Sequence, residues 1–519
     1  MKNFGPAPIE HGKIHDLGNL GPTCDSLRAA GRRIVLCHGV FDLLHVGHLW
    51  HLRQAREFGD ILVVSITADK YVNKGPNRPV FPAPLRSEML AALECVDFVA
   101  VVDDPSAEPA ISVIKPTVYV KGGEYDDAAK DITGKITREQ ELVERHGGRV
   151  EFTYGDTFSS SNLLNTHFNL LDSATRGYIE KVRDRGFEAR ILELANQIED
   201  FKVVIVGETI IDHYVYVSPM GKAAKENIIA TQYSSEEYFA GGVIAAANHL
   251  CAVCPNTEVV TILGDGSDGE NFEGLVRDRL ITHTDPTIFS RPGGPTVRKT
   301  RFVEPTYTRK LFEVYAMDDR PLPQDVEGRI TDALREKARD ADLVVVCDFG
   351  HGFIASEAVA ALTEEAKFLA INVQTNAGNL GYNLLTKYPR ADFLCIDAQE
   401  ARLVAQDKHM ALEKILSDVI PGTIDCPKSV VTHGSAGCFT LEGSPPVAQV
   451  PAFRRDIVDT VGAGDAFFAV AAPFAAAGAD AELCGFIGNV AGAIKVGVVG
   501  HRDSTTKLAL LRYISTLLK

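Results

Sequence analysis

Two stretches of this sequence place glycine beside histidine or aspartate in patterns suited to phosphate chemistry. The first runs from His38 to His48 and reads His-Gly-Val-Phe-Asp-Leu-Leu-His-Val-Gly-His. The second runs from Asp459 to Phe468 and reads Asp-Thr-Val-Gly-Ala-Gly-Asp-Ala-Phe-Phe. Each predicts a turn that binds the phosphates of a nucleotide, and their presence on one chain suggests two successive steps of one pathway.

The first stretch is suited to transferring a nucleotidyl group. His45 and His48 open a predicted helix after a predicted strand, and residues three apart lie on the same helix face. Gly47 leaves the backbone open to close approach, and the N-terminus of a helix favours an anion. Nucleotidyl transfer depends on positioning and on stabilising charge at the α-phosphate and the departing pyrophosphate. His45 and His48 are therefore the candidate catalytic residues of this site.

The second stretch is suited to transferring the γ-phosphoryl group of a nucleoside triphosphate to an alcohol. Gly462, Ala463 and Gly464 precede an apolar predicted helix, and successive N–H groups at a helix N-terminus form an anion-binding nest. Such a nest stabilises the charge of the group in transfer. Asp465 lies at the same place, where its carboxylate can accept the proton of the attacking hydroxyl as a general base.

The composition is that of an ordinary globular protein. Of 519 residues, 45% are apolar and 24% are charged, and the net charge of −16 disfavours a nucleic-acid or anionic-membrane partner. The sequence has no run of about 18 apolar residues that would predict a membrane span. Its N-terminus lacks the apolar core of a secretory signal, and the ten cysteines are scattered, as expected of reduced thiols. The expectation is a cytoplasmic protein.

One cluster of basic residues departs from the acidic balance of the chain. It is either a solvated face or a patch that faces phosphate groups, and the sequence leaves both interpretations open. Its members are Arg291, Arg298, Lys299, Arg301, Arg309 and Lys310.

Alternating strand and helix patterns predict two α/β domains with parallel sheets and right-handed crossovers. The predicted domains are residues 1–165 and 201–519, with a helical connector at 166–200, and little structure is assigned to residues 1–30. The predicted strands are Ile34–Leu36, Ile61–Ile66, Phe98–Val102, Thr117–Val120, Lys202–Gly207, Val259–Leu263, Leu343–Cys347, Phe368–Val373, Phe393–Ile396 and Val430–Thr432. The predicted helices include Leu49–Phe58, Arg86–Glu94, Arg138–His146 and Phe467–Ala479.

Residues 33–165 resemble the cytidylyltransferase-like nucleotidyltransferase superfamily. More specifically, they look like the adenylyltransferase half of the bifunctional heptose-phosphate kinase/heptose-1-phosphate adenylyltransferases. Besides the histidine motif, the resemblance rests on Lys74-Gly75, Arg86, Val120-Lys-Gly-Gly-Glu-Tyr125, Gly147-Gly148 and Ser159-Ser-Ser-Asn162. The motif His45-Val-Gly-His48 also occurs in class I aminoacyl-tRNA synthetases, but their Lys-Met-Ser-Lys-Ser loop is absent from this sequence.

This resemblance implies a Rossmann-like fold and a set of binding residues. Asp42 would bind the acceptor sugar. The residues implied to contact the nucleotide or its phosphates are Gly39, Phe41, Lys74, Arg86, Lys121, Gly122, Ser159, Ser160 and Ser161.

Residues 201–519 resemble the ribokinase-like (PfkB) carbohydrate kinases. Besides the Gly-Ala-Gly-Asp motif, the matching pieces are Val206-Gly-Glu-Thr-Ile-Ile-Asp212, Gly264-Asp265, Asp348-Phe-Gly350 and Val431-Thr-His-Gly-Ser-Ala-Gly437. The resemblance implies a ribokinase-like α/β domain in which Asp212, Gly241 and Gly242 contact the sugar. It further implies that Glu400 holds Mg²⁺ through water and that the nucleotide lies against Thr432, Gly434, Gly437 and Asn489.

Three positions depart from the pattern of the resembled kinases. Ala245 stands where the heptose kinases have a sugar-binding Asn, Asp397 begins what is usually Asn-x-x-Glu, and Asn372-Val-Gln374 replaces Asp-Pro-Lys. The order of the two domains is also the reverse of the usual heptose enzyme. These changes leave the catalytic base and the anion nest intact but alter the surroundings of the sugar and the metal.

The expectation is a Mg²⁺-dependent, homodimeric, bifunctional enzyme of nucleotide-sugar synthesis that uses sugar phosphates and nucleoside triphosphates. Its kinase would phosphorylate the anomeric hydroxyl of a heptose phosphate or similar sugar with ATP. Its transferase would join AMP to the sugar 1-phosphate and release pyrophosphate. Two alternatives stay open: CTP could serve another phosphorylated sugar or alcohol, and the C-terminal domain could have a different kinase specificity or be a non-catalytic sugar-binding or dimerisation module.

Overall fold

The computed structural model describes residues 12–72, 78–123, 135–153, 171–267, 269–282, 284–306, 308–454 and 457–518. The chain divides into two units, residues 1–172 with 511–519, and residues 173–510. Each unit contains a predominantly parallel sheet with helices packed on it. No helix within these described ranges is long and apolar enough to cross a membrane.

The first unit is built on a five-stranded sheet whose strands are all parallel. The order β3-β2-β1-β4-β5 reverses the direction of winding between β1 and β4, and ligands of such sheets bind beyond the carboxyl ends of the strands at this switch point. The strands are β1 Ile34–Gly39, β2 Ile61–Thr67, β3 Phe98–Val102, β4 Val118–Gly122 and β5 Arg149–Thr153.

Helices cover both faces of this sheet because its strands are apolar on both sides. Successive strand residues point to opposite faces, so Val35 packs with Leu52 in one core while Leu36 packs with Leu20 in the other. The helices are Leu17–Ala29, Val46–Glu57, Ala83–Ala91, Glu108–Ile114 and Lys135–Arg145.

Part of the N-terminal stretch, to which the sequence assigned little structure, belongs to this core. Ile14 forms a parallel bridge with Val99, and the helix Leu17–Ala29 buries Leu20 and Cys24 completely. Gly18, Gly21 and Pro22 lie within the helix and lower its helix propensity. The sequence pattern therefore does not predict it.

The second unit is built on a nine-stranded sheet of order β10-β9-β6-β13-β14-β15-β16-β17-β18. Its strands are parallel from β10 to β16, and β17 and β18 continue it antiparallel. The strands are β6 Val203–Gly207, β9 Thr257–Gly264, β10 Thr287–Arg291, β13 Leu343–Asp348, β14 Leu369–Val373, β15 Phe393–Asp397, β16 Lys428–Thr432, β17 Cys438–Glu442 and β18 Ala448–Val450.

A separate four-stranded sheet, which we call the lid sheet, has the order β12-β11-β7-β8. Its strands are β7 Thr209–Lys222, β8 Ile229–Gly242, β11 Arg298–Glu304 and β12 Arg309–Ala316. Strand β7 begins two residues after β6 ends, so the lid sheet grows from the carboxyl edge of the main sheet. The basic cluster lies largely on β11 and β12, and the sequence predicted neither these strands nor the β7–β8 hairpin.

The helices from residue 173 onward lie mainly between consecutive strands. Two of them, Ser173–Asp184 and Phe187–Gln197, fall in the predicted connector and pack within the second unit, where Phe187 contacts Phe486. The others are Val243–Cys251, Glu273–Arg279, Gln324–Asp340, Ser356–Glu365, Ala398–Ala405, Ala463–Ala476, Ala481–Lys495 and Lys507–Leu518, with short helical turns over 412–423.

The strands predicted from the sequence are all observed, with ends that differ by a few residues. Four predicted helices begin earlier than expected, at Val46, Ala83, Lys135 and Ala463. Three of these first turns contain Gly or Pro, which look like helix breakers in a sequence but are tolerated at a helix N-terminus.

Candidate active sites

The first candidate site lies at the switch point of the five-stranded sheet. Strand β1 ends at Gly39 beside β4, which ends at Lys121 and Gly122. After β1 the chain turns through Phe41, whose φ of 48° is rare for a residue with a side chain. The chain then enters the helix Val46–Glu57. The fold therefore brings Gly39, Phe41, Lys121 and Gly122 to the same edge as the histidine motif.

His45 is the N-cap of that helix, and its hydrogen bonding fixes its tautomer. Its Nδ1 accepts a 3.1 Å hydrogen bond from the Gly47 N–H, and burial lowers the pKa of His45. A neutral ring whose Nδ1 accepts carries its proton on Nε2. This buried Nε2 has no partner among the described residues, and the ring lies 3.9 Å from that of His48, centroid to centroid. The pair thus offers an unused N–H donor at a helix N-terminus, as an anion requires.

Asp42 and Arg86, two predicted binding residues of this site, both pair with protein groups in the structure. The carboxylate of Asp42 pairs with Arg78 at 2.6 Å, accepts a 2.5 Å hydrogen bond from Val80 N–H, and has a side chain only 1% exposed. Arg86 is fully buried. The partners of Asp42 in the structure are thus protein groups, and its contact with an acceptor sugar stays a prediction.

The guanidinium of Arg86 is likewise taken up by the protein. Its nitrogens donate to the carbonyls of Phe81, Val40 and Thr67, and to the Asp69 carboxylate at 2.5 Å. Arg86 therefore joins the loops after β1 and β2, and its expected contact with a triphosphate stays a prediction.

Lys121 is also ion-paired. Its ammonium lies 2.9 Å from the buried carboxylate of Glu139, which accepts a 3.0 Å hydrogen bond from Tyr119 OH. This pairing fixes Lys121 at the end of β4. The predicted contacts of Lys74, Ser159, Ser160 and Ser161 lie outside the described residues.

The second candidate site begins at the N-terminus of the helix Ala463–Ala476. Gly462 precedes it with φ 76°, and a Cβ there would lie 2.5 Å from His501 Cε1, so only glycine fits. A Cβ on Gly464 would meet nothing within 4 Å. The N-terminal turn, which includes Ala463, is therefore closed on one side by protein and open on the other, where an anion can approach.

Asp465 lies half-buried in the first turn of this helix. Its Oδ1 accepts a 2.5 Å hydrogen bond from Gln374 Nε2, a residue directly after β14. Burial raises the pKa of Asp465, and the hydrogen bond from Gln374 opposes that rise. A carboxylate with a raised pKa takes up a proton more readily, as a general base must.

The lid sheet presents a second carboxylate, Asp212. Its oxygens contact the guanidinium of Arg301 and, at 3.1 Å, Nε2 of His501. Burial alone would raise the pKa of Asp212, but His501 and Arg301 together hold it well below the usual range. A Cβ on Gly241 would lie 2.2 Å from Asp212 Oδ2. Asp212 and Gly241 are thus brought together as predicted, and the polar partners of Asp212 are protein groups.

Gly242 links the lid sheet to the next helix. It has φ 59°, and a Cβ there would lie 2.4 Å from Glu208 O. The helix Val243–Cys251 follows directly, with Ala245 buried inside it. Ala245 therefore fills the position of the expected sugar-binding Asn with an apolar contact.

Asp459, at the start of the motif, anchors the turn. It accepts hydrogen bonds from Tyr214 OH at 2.9 Å, Lys310 Nζ at 2.6 Å and Gly500 N–H at 3.0 Å. The buried Lys495 donates to Gly500 O at 2.6 Å, and burial lowers the pKa of its ammonium. These contacts tie the glycine turn both to the lid sheet and to the segment after the helix Ala481–Lys495.

The basic cluster is divided between these roles. Arg301 and Lys310 pair with the carboxylates of Asp212 and Asp459, and burial lowers the pKa of Lys299 near them. Arg291 is buried and donates to the carbonyls of Arg320 and His351. The solvated-face interpretation is therefore wrong for the buried Arg291 and for the ion-paired Arg301.

Glu400 lies at the carboxyl edge of the main sheet within a capping box. Its carboxylate accepts hydrogen bonds from the N–H groups of Asp397 at 2.7 Å and Thr375 at 2.9 Å. Asp397 in turn caps the helix Ala398–Ala405, so Asp in place of Asn preserves the local structure. Burial and the nearby Asp397 raise the pKa of Glu400 to about 8.

These groups fit a magnesium ion held partly by water. Mg²⁺ prefers oxygen ligands and usually keeps several waters while binding one or two carboxylates and substrate phosphates. Beside Glu400, the buried Thr375 Oγ1 has no partner among the described residues, so an unused oxygen adjoins the carboxylate. In those residues no group of three or more His, Cys, Asp or Glu side chains could hold a metal ion.

The predicted nucleotide residues gather around β16 and β17. Thr432 ends β16 opposite Asp397 of β15. Gly434 has open space where a Cβ would lie, whereas a Cβ on Gly437 would lie 2.0 Å from Val450 O. Asn489 donates to Val450 O at 3.2 Å. The turn is thus shaped by close backbone packing on one side and is open at Gly434.

Sequence reasoning missed several residues that contact the predicted groups. Lys299 and Arg301 were visible only as members of the basic cluster, because the pairing of Arg301 with Asp212 and the position of Lys299 near it depend on the lid sheet. His501 and Lys495 carried no motif. Gln374 appeared only as a departure from Asp-Pro-Lys, and its contact with Asp465 joins positions 91 residues apart.

Comparison with known families matches residues 200–508 to the pfkB family carbohydrate kinases and residues 36–167 to the cytidylyltransferase-like family. Bifunctional protein HldE of Geotalea uraniireducens is 41% identical over 160 residues, 30% of this chain and 31% of that protein. Bifunctional protein HldE of Geobacter metallireducens is 39% identical over 155 residues, 29% of this chain and 30% of that protein. The chain therefore spans about a third of the length of the curated relatives it matches.

A solved structure extends the comparison to the fold. Phosphofructokinase-2 from Escherichia coli in complex with potassium matches 62% of this chain and 100% of its own, with a TM-score of 0.50 and 14% identity. The predicted fold class, a Rossmann-like nucleotidyltransferase domain followed by a ribokinase-like domain, is confirmed. Because the kinase family covers more than half of the sequence, this chain belongs to the pfkB family of carbohydrate kinases.

Proposed function

We propose that this protein is a bifunctional enzyme of nucleotide-sugar synthesis. Its second unit phosphorylates a sugar, in the manner of a heptose phosphate, at the anomeric hydroxyl with ATP. Its first unit transfers AMP from ATP to a sugar 1-phosphate and releases pyrophosphate. One observation carries the proposal: each unit has side chains capable of catalysis at a helix N-terminus, on the carboxyl edge of a parallel sheet. These side chains are His45 and His48 in the first unit and Asp465 in the second.

In the kinase reaction Asp465 takes the proton of the sugar hydroxyl, whose oxygen bonds to the γ-phosphorus of ATP. The bond from that phosphorus to the bridging oxygen breaks, and ADP leaves. The open N-terminal turn at Gly464 stabilises the transferred group. Asp212, which is held ionised by Arg301 and His501, would accept hydrogen bonds from sugar hydroxyls.

Magnesium would be held through Glu400 and water, with the nucleotide phosphates as its remaining ligands. When bound, it neutralises the charge of the triphosphate. The pocket for the nucleotide is shaped by Thr432, Gly434, Gly437 and Asn489.

In the transferase reaction an oxygen of the sugar 1-phosphate bonds to the α-phosphorus of the nucleotide, and the bond to the β-phosphate oxygen breaks to release pyrophosphate. The Nε2–H of His45 donates to the phosphate oxygens, and His48 acts beside it. Asp42 and Arg86 hold the loops that carry Phe41 and residues 78–81, from which Asp42 would contact the acceptor sugar and Arg86 the triphosphate. The identity to HldE proteins supports AMP as the transferred group.

The substrate is tested by a mass-spectrometric screen of the full chain with Mg²⁺, ATP or CTP, and a panel of sugar phosphates. The proposal expects a sugar bisphosphate and ADP from one reaction, and pyrophosphate and an ADP-sugar from the other. If pyrophosphate were released with CTP but not with ATP, the first unit would be a cytidylyltransferase. Pyrophosphate release without any ADP would leave the second unit as a non-catalytic sugar-binding or dimerisation module.

The assembly is proposed to be a homodimer. Phe312 and Val314 of β12, each 53% exposed, give the lid sheet an apolar outer edge that supports an interface. Light scattering of the purified chain measures this directly, and a monomeric mass would contradict it.

A further inference from the structure

Gln374 is held by its backbone at the carboxyl end of β14. Its N–H donates to Asp348 O at 2.8 Å, and its carbonyl accepts a 3.0 Å hydrogen bond from Asn383 Nδ2. The side chain therefore starts from a fixed point of the sheet edge.

The side-chain amide of Gln374 belongs to a chain of hydrogen bonds that ends at Asp465. Asn372 Nδ2 donates to the Cys395 carbonyl at 2.7 Å. Asn372 Oδ1 accepts from Gln374 Nε2 at 2.7 Å, and the same Nε2 donates to Asp465 Oδ1 at 2.5 Å. Asn372 is buried, so its hydrogen bond to Cys395 is shielded from bulk water.

This chain can run in one direction only. A backbone carbonyl accepts and never donates, so Asn372 must turn its NH₂ group toward Cys395 and its oxygen toward Gln374. Gln374 must then present its NH₂ group, which supplies one hydrogen to Asn372 and the other to Asp465. As a result, Oδ1 of Asp465 is an acceptor, and a proton taken up by this carboxylate goes to Oδ2, to which no described residue donates a hydrogen bond.

We propose that Gln374 is a positioning residue that fixes the orientation of Asp465 and makes Oδ2 the basic oxygen of the phosphoryl-transfer reaction. This inference rests on the proposed kinase function. A free carboxylate rotates about its last bond and can present either oxygen, whereas the amide chain selects one. The orientation matters because catalysis depends on the distance and angle between base and hydroxyl.

Gln374 is a neutral donor within a highly charged site. Because it donates without adding a charge, it orients Asp465 and leaves the ionic interactions to other groups. The titratable groups that act on Asp465 from the surrounding elements are Asp212 of β7, Lys299 of β11, Cys347 of β13, Cys395 of β15, Glu400 of the helix Ala398–Ala405, Lys495 of the helix Ala481–Lys495, and His501.

The test compares Gln374→Met, Gln374→Glu and Gln399→Met in the full chain. Met has nearly the length of Gln but no donor, and Glu is isosteric but places an acceptor against Asp465 Oδ1. Gln399→Met is the matched control, since Gln399 is exposed at the same edge of the sheet. ADP formation is measured with saturating and limiting sugar phosphate across pH, with pyrophosphate release by the first unit as a check on folding.

For Gln374→Met we expect kcat to fall about 10- to 100-fold, as for loss of a hydrogen bond to a charged group. The KM for the sugar should stay within about threefold, because Gln374 does not touch the substrate. The acid limb of the pH profile should move to higher pH, because the hydrogen bond that favoured the ionised form is gone. Gln374→Glu should lower kcat further, and Gln399→Met should match the parent.

The inference is overturned if Gln374→Met and Gln374→Glu both keep the parental kcat and pH profile, or if their losses lie entirely in KM. These outcomes are separable from failure of the kinase assignment. If Asp465→Asn also leaves ADP formation unchanged, the proposed function fails. If Asp465→Asn abolishes it while the Gln374 variants are normal, only the positioning role is lost.

Discussion

His501 and Asp212 meet through a 3.1 Å contact between Nε2 and Oδ2. The same imidazole stands behind the glycine turn, since a Cβ on Gly462 would lie 2.5 Å from its Cε1. One buried ring therefore touches both the carboxylate proposed to bind the sugar and the turn proposed to bind phosphate. A change at His501 should be felt at both substrates.

We expect His501→Ala to raise the KM for the sugar phosphate about tenfold or more, because Asp212 loses a hydrogen bond that keeps it ionised and oriented. The KM for ATP should rise as well, since the ring no longer supports the turn at Gly462. Steady-state kinetics with each substrate varied in turn measure both effects. A rise in one KM with the other unchanged would show that the ring does not couple the two sites.

The two glycines of the turn should respond oppositely to the same substitution. Gly462→Ala forces a methyl group against His501 at a φ of 76°, which costs about 1–2 kcal/mol or more in backbone strain alone. Gly464→Ala meets no protein atom within 4 Å and adds a better helix former, so stability should be unchanged or rise by up to about 1 kcal/mol.

Kinase activity, in contrast, should fall in both glycine variants, because the methyl group that Gly464→Ala adds occupies the open space where phosphate approaches. Thermal unfolding and ADP formation, measured on the same samples, separate stability from activity. A fully active Gly464→Ala variant would show that the transferred phosphate does not bind at this turn.

The stability of the ligand-free protein should depend on pH through Glu400. Its pKa rises from 4.5 to about 8 in the folded chain, chiefly because of burial. The folded state thus binds the proton more tightly than the unfolded state, so stability is greatest below pH 4.5 for this group and declines as pH rises toward 8. The loss is on the order of a few kcal/mol.

Glu400→Gln removes this ionisation and should flatten the decline in melting temperature between pH 5 and pH 8. In the parent, Mg²⁺ with nucleotide should restore more stability at pH 8 than at pH 6, because the metal favours the ionised carboxylate. Identical pH profiles for parent and variant would show that Glu400 does not titrate in this range.

The Nε2–H of His45 should be required for nucleotidyl transfer only. His45→Phe keeps a ring but removes the donor, and we expect pyrophosphate release to fall about 10²- to 10³-fold, as for loss of an oxyanion donor. ADP formation by the second unit should persist. If His45→Phe released pyrophosphate at the parental rate, the phosphate would not be bound by the Nε2–H of His45.

The local patterns of this sequence predicted the sheets well but not the contacts between distant segments. Val35 and Leu36 lie in an uninterrupted apolar run, which is typical of a parallel strand buried on both faces, so β1 was readable. The lid strands were not, because β12 mixes charged and exposed apolar residues without burying a core face. Asp465 and Gly464 were identified by their motif.

The partners of the site residues, in contrast, depend on tertiary structure. Asp42 and Arg86 were expected to contact a ligand, and their pairing with Arg78 and with the loop after β2 depends on segments that only the fold brings near. His501 reaches Asp212 across 289 positions of sequence, a pairing that no spacing rule could suggest. In the sequence, Gln374 stood out only because it replaces the Lys of Asp-Pro-Lys. The structure alone shows that it donates a hydrogen bond to Asp465.

The central claim is that one chain breaks two different bonds of a nucleoside triphosphate at two sites. It is tested by quantifying ADP and pyrophosphate separately from ATP, Mg²⁺ and the accepted sugar substrates, in the parent and in the variants Asp465→Asn and His48→Ala. Asp465→Asn should lose ADP formation by about 10²- to 10⁴-fold while still releasing pyrophosphate from added sugar 1-phosphate, and His48→Ala should do the reverse. If either substitution left both products unchanged, or if a folded variant lost both together, the assignment of two independent sites would be contradicted.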